Sequence, residues 1–305
     1  MKKLKRFTTN ELRPKGWLYT QLRIQADGLS GNLDKIWPSV RDSAWVGGTN
    51  DGWERVPYWL DGFIPLAYLL DDADMKARAQ KYIEAIISSQ KEDGWICPCA
   101  DSDRSDYDLW ALFLMCKVFV EYIECTGDIR SEKALYDALH SCYTMLRDQK
   151  TVLKGWGKFR WFECFVSISW LWDKTKEPWL KDLAAIIKAQ GADYPSFFDR
   201  WQTPLNQWTM ETHIVNIAMA IKAEALSYEI LGEKYTGFAD TAVRVLDRYN
   251  STAVGIWTGD ECLSGISPIH GSELCSVAEL MYSCECMLGT TGNVSWADRL
   301  EKIAF

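Results

Sequence analysis

Residues 106–148 read DYDLWALFLMCKVFVEYIECTGDIRSEKALYDALHSCYTMLRD, and this stretch sets two helices of different character side by side. From Asp106 to Cys125 the run is apolar on nearly every face, with Lys117 its one cation, and Thr126-Gly-Asp128 stops it. From Glu132 to Asp148 apolar residues return three and four apart, at Leu135, Leu139, Cys142 and Leu146, with polar residues between them. A helix that is apolar all round belongs inside a protein, whereas one with a single apolar stripe lies on its surface.

The same pairing recurs outward in both directions. A helix is expected from about Gly16 to Gln25, followed by a Gly/Trp-rich loop over 28–51. An apolar helix is expected from Trp53 to Leu70 and a more polar one from Met75 to Gln90. Beyond residue 148 come Phe159–Trp172 with Trp179–Gln190, Thr212–Leu231 with Thr236–Tyr249, and Ser272–Leu288 with Trp296–Phe305. Two-residue alternation of the strand kind is missing from the pattern. Inner and outer helices taking turns at intervals of about 50 residues predict an all-α fold, an (α/α)6 toroid, over 1–305 as a single catalytic domain. Five pairs are visible, and the apolar ending Ala304-Phe305 reads as a cut through a larger protein.

The totals narrow the function. The chain of 305 residues is 48% hydrophobic and 25% charged, as globular proteins are, and its net charge is −8. Beyond Met1-Lys-Lys-Leu-Lys-Arg6 it has no basic block, which argues against a nucleic-acid partner. No apolar run approaches the roughly 20 residues that span a membrane, and the start carries no apolar core of a secretion signal. Ten unpatterned cysteines suit a reducing compartment, so a cytoplasmic location is expected. The 16 tryptophans are core filler for the greater part, though indole faces also stack on sugars.

The polar chemistry collects at Gly255–Gly289, GIWTGDECLSGISPIHGSELCSVAELMYSCECMLG. Asp260, Glu261 and His270 lie in a loop that runs into an apolar helix, with Glu273 and Cys275 in its first turn and Ser272 the expected cap. A helix N-terminus favours negative charge, so this carboxylate and thiol are expected to ionise together, as metal ligands must. Other candidates stand at the starts of inner helices: Trp53, Trp59, Asp61, Arg160, Gln207, Trp208 and His213. Acids, an arginine, histidines and Trp faces around one mouth describe a sugar site, with two carboxylates to cleave a glycosidic bond. Each has a plainer reading: Glu261 a loop acid on a backbone N–H, His213 a satisfied core histidine, Glu273 and Cys275 a cap and a small side chain.

Taken in order, Gly16-Trp-Leu18, Gln21-Leu-Arg23, Trp53-Glu-Arg-Val-Pro-Tyr-Trp-Leu-Asp-Gly62, Asp93-Gly-Trp95, His213-Ile-Val-Asn216, Gly259-Asp-Glu261 and Gly271-Ser-Glu-Leu-Cys275 resemble the catalytic domain of glycoside hydrolase family 127, the β-L-arabinofuranosidases. The resemblance implies an (α/α)6 barrel, a retaining mechanism and a zinc ion. It makes Glu261 the acid/base, with Asp260 the competing choice, Glu273 and Cys275 zinc ligands, and His213 a sugar contact. Family members add two adjacent cysteines, one of them the nucleophile, and no Cys-Cys pair occurs here. Weak or absent zinc binding by this chain is therefore expected. Cys262 and Cys284 do not match those positions. The expected substrate is a glycoside or oligosaccharide of plant cell-wall sugars, and self-association through exposed apolar surface is expected too. The alternatives are a non-catalytic sugar-binding or assembly protein on the same toroid, and a metal-independent toroid glycosidase such as an unsaturated-uronyl hydrolase.

Overall fold

A computed structural model describes residues 2–203, 208–267 and 269–305. Among the described residues the named elements are helices, joined by loops, apart from one hairpin of two-residue strands, Gly259–Asp260 and Cys262–Leu263. They divide into two compact units. One holds Phe7–Gly157 and Trp170–Leu183, and the other holds Met1–Arg6, Lys158–Ser169 and Ala184–Phe305.

In the first unit, helices Arg55–Leu69, Ala73–Ser89, Trp110–Thr126 and Ile129–Arg147 pack as two neighbouring pairs. The expected division of labour holds here. Trp110–Thr126 is buried along nearly its whole length, whereas Ile129–Arg147 buries Ala134, Leu135, Ala138, Leu139, Cys142 and Leu146 on one stripe. Lys117 is tolerated inside because Asp61 meets it at 3.0 Å. Asp72 and Asp128 cap the two surface helices by accepting from the backbone N–H groups of Met75 and Arg130. The helix Gly16–Asp27 differs, burying only Ala26 and leaving Trp17, Leu18 and Ile24 exposed.

In the second unit, helix Leu274–Thr291 packs on Ile214–Ala220, Ala223–Leu231 and Ser295–Ala304. Two expectations are corrected. The stretch 212–231 is not one helix, because it breaks at Ile221-Lys222 into Ile214–Ala220 and Ala223–Leu231. The break puts Lys222, which is 0% exposed, against the carboxylate of Glu163 and 3.4 Å from that of Glu279. The rings of Tyr282 and Phe162 lie 5.0 and 5.6 Å from its ammonium. Leu274–Thr291, in turn, is not buried all round: only Ser276, Leu280, Ser283, Cys284, Met287 and Thr290 are covered, and Leu274 is exposed.

All ten cysteines are free thiols, and Cys275 alone is exposed. Among the described residues no helix is long and apolar enough to cross a membrane.

Candidate active site

Glu261 sits at the tip of the two-residue hairpin with φ +75°, a left-handed backbone that a glutamate adopts only under constraint. The constraint is visible. The Ile214 N–H donates to the Glu261 carbonyl at 2.9 Å, and the Leu263 N–H donates to the Thr212 carbonyl at 3.0 Å. The hairpin is thus stitched to the start of helix Ile214–Ala220, and the Glu261 side chain is delivered to His213.

His213 is the N-cap of that helix. The backbone N–H of Asn216 donates to its Nδ1 at 3.3 Å, and its Nε2 stands 3.2 Å from Glu261 Oε2. The Trp208 indole N–H donates to the same oxygen at 3.4 Å, and the two rings meet nearly edge to face at 5.9 Å. Asn216 is fully buried. Its Oδ1 accepts from Arg160 Nε at 2.8 Å, and its Nδ2 donates to the Met210 carbonyl at 3.1 Å. Burial first, and then the positive charge of Arg160, push the His213 imidazole down to about 4 against the opposing pull of Glu261. At neutral pH this histidine is uncharged.

Glu273 occupies the N-cap position of Leu274–Thr291 and makes no capping bond, so the cap expected of Ser272 is corrected by one residue. Its Oε2 is buried without a hydrogen-bond partner. Burial, then the charge of Glu261, hold the Glu273 carboxyl above its ordinary range; burial, then the charge of Glu273, do the same for the Cys275 thiol. Desolvation thus works against the ionised forms that the helix start favours, and a hydrogen bond with Cys275 pulls the Glu273 carboxyl the other way. As a zinc site the pair offers one oxygen and one sulfur donor, and structural or catalytic zinc takes about four ligands. Among the described residues no group of three or more His, Cys, Asp or Glu side chains could hold a metal, so these residues do not by themselves fit the ion.

The remaining candidates fall into three groups. Trp208, His213, Arg160, Glu261 and Glu273 act on one another, with Arg160 only 4% exposed and buried behind the polar groups rather than on a rim. Asp260 instead faces His270, 3.4 Å away, and so stands apart from the His213–Glu261 pair. Trp53, Trp59 and Asp61 belong to the other unit. Trp59 is corrected from sugar platform to core residue. It is 5% exposed, stacks on Phe63 at 4.4 Å, meets Tyr82 edge-on and donates its N–H to the Ser30 carbonyl. Asp61 is committed to Lys117, and Trp53 lies 6.4 Å from the Trp156 ring. Gln207 lies outside the described residues. Asn216 joins the His213–Glu261 cluster although it is not among the sequence candidates, its only signal there being its place three residues after His213.

No family model matches the sequence, and no curated protein matches it. Solved structures do. One described as a glycoside hydrolase superposes with TM-score 0.66 at 13% identity, over 96% of this chain and 49% of its own. The chain shares its fold with glycoside hydrolases. A GH127 β-L-arabinofuranosidase from Geobacillus stearothermophilus T6 gives TM-score 0.64 at 15% identity, over 93% of this chain and 52% of its own. A further GH127 β-arabinofuranosidase gives TM-score 0.56 at 11% identity, over 94% and 49%. The chain spans about half the length of each of these structures.

Proposed function

We propose that this chain is the helical part of a retaining glycoside hydrolase of the family-127 kind, closing as an (α/α)6 ring and acting on β-L-arabinofuranosides or closely related plant cell-wall sugars. The observation that carries the reading is Glu261. A long acid is held at positive φ on a hairpin tip, more than half exposed, with one carboxylate oxygen engaged by both His213 and Trp208. Backbone strain of this kind collects at functional sites, where surrounding structure maintains it.

In this reading Glu261 is the acid/base. It gives a proton to the glycosidic oxygen as the bond to the sugar breaks, and later takes one from water. His213 and Trp208 fix its orientation, and the exposed indole of Trp208 offers a face for the sugar ring. Glu273, nearby, adds a second carboxyl group to the site. No attacking group is assigned among these 305 residues, in which no adjacent cysteine pair occurs.

The test is release of nitrophenol from a nitrophenyl β-L-arabinofuranoside by the full-length polypeptide and its Glu261→Gln variant. Loss of general acid/base catalysis is expected to lower kcat/KM by about 10²–10⁴-fold while sugar binding, followed by tryptophan fluorescence, persists. Equal turnover by the two proteins sinks the assignment. Sugar binding without hydrolysis in either protein selects the non-catalytic alternative.

A further inference from the structure

A backbone N–H can only donate. The Asn216 N–H points at His213 Nδ1 at 3.3 Å, so that nitrogen must present its lone pair, and in the neutral ring the proton resides on Nε2. Nε2 faces Glu261 Oε2 at 3.2 Å and therefore donates to it. The side chain of Asn216 works in the same place. Its oxygen holds the Arg160 guanidinium at 2.8 Å, and its nitrogen ties down the Met210 carbonyl, in the segment that carries Trp208.

We infer that Asn216 is a positioning residue: its backbone sets the His213 tautomer that turns an N–H onto Glu261, and its side chain anchors Arg160 and the 208–213 segment around that contact. The inference rests on the assignment of Glu261 as acid/base. Its chemical consequence is directional. With Oε2 accepting from both His213 and Trp208, the proton that Glu261 exchanges belongs on Oε1.

The charges around the imidazole explain why the arrangement persists across pH. Arg160, from the segment ahead of helix Glu163–Thr175, opposes a second positive charge on the ring, and Glu261, from the hairpin, favours one. On the approach to His213, Glu211 is already paired with Arg200. Burial and Arg160 prevail, and a neutral N-cap histidine results.

The experiment is long-range ¹H–¹⁵N spectroscopy of the imidazoles in the labelled full chain. These 305 residues hold three histidines, and the His213 signal is assigned as the one that His213→Gln removes and that His140→Gln and His270→Gln leave in place. His213 is expected as the Nε2–H tautomer, unchanged from about pH 5.5 to 8, where an ordinary histidine titrates near about 6.5. Asn216→Asp keeps the backbone donor and offsets the Arg160 charge, and Arg160→Gln removes that charge. Each is expected to raise the His213 midpoint by about one unit or more. An Nδ1–H tautomer or an ordinary midpoint in the unsubstituted protein overturns the inference without any variant having to fold. Unmoved midpoints in both variants overturn the part assigned to Arg160 and the Asn216 side chain. Failure of the glycosidase reading shows separately, as turnover indifferent to Glu261→Gln.

Discussion

Replacing Lys222 with methionine should be among the most damaging single changes available in this chain. The ammonium is 0% exposed and its first partner, Glu163, has a side chain 2% exposed, while Glu279 retains 12%. Surface ion pairs contribute about 0–1 kcal/mol, but that regime needs solvent at both ends, and here two of the three groups are sealed. Methionine fills the space of the lysine stem and removes only the charge. Glu163 then stays buried while losing the Lys222 ammonium, and removing one partner of a buried pair costs about 3–5 kcal/mol. At about 2 °C per kcal/mol for a chain of this size, scanning calorimetry should show Tm falling by about 6–10 °C. The double variant Lys222→Met/Glu163→Gln removes both charges and should recover the greater part of the loss, because neutral replacement of a buried pair is often nearly free. A single variant melting within about 2 °C of the parent would refute the reasoning, for it would mean that water reaches the cluster. So would a double variant no better than the single one.

Three further outcomes are expected. The His213 value near 4 lies below the usual 6.5, so the unfolded chain binds more protons between them; the stability this histidine contributes is complete above about pH 6.5 and is lost as pH falls towards about 4, at most about 3 kcal/mol. Melts at pH 7 and 4.5 should show His213→Asn, which keeps a capping acceptor that does not titrate, losing less on acidification than the parent. At Gly191 an added Cβ would stand 2.3 Å from Cδ1 of the buried Trp161 indole, so Gly191→Ala should lose about 1–3 kcal/mol in urea unfolding despite an ordinary backbone angle there. A thiol reagent on the native protein should modify Cys275 first and slowly, since its thiol is held protonated, and all ten cysteines only after denaturation.

Much of the helical plan was legible in sequence because burial writes itself as periodicity. The 106–148 pair, and Trp179–Gln190 to the residue, followed from apolar spacing and Gly-Asp stops. The break at Lys222 left no such mark, since no glycine or proline interrupts the run and a lone lysine in an apolar helix reads as a snorkelling surface residue. Its reason lies in Glu163 and Glu279, 59 residues before it and 57 after it in the chain. The site was legible in part. Glu261, His213, Trp208, Arg160 and Glu273 do converge, whereas Trp59 and Asp61 were read as platform and contact when their partners are Phe63, Tyr82 and Lys117. An indole looks the same in a sequence whether its faces meet sugar or phenylalanine. The upward pull on Glu273 and Cys275 leaves no mark in the sequence, because helix position is a local property and desolvation is not.

The turn at residue 261 carries one more implication. Glycine would sit there with less strain than glutamate, so trimming the acid away ought to yield a sturdier molecule without the acid/base that the proposed function requires. Screens that reward heat resistance alone would be drawn to that swap, and anyone hardening this protein should hold position 261 fixed.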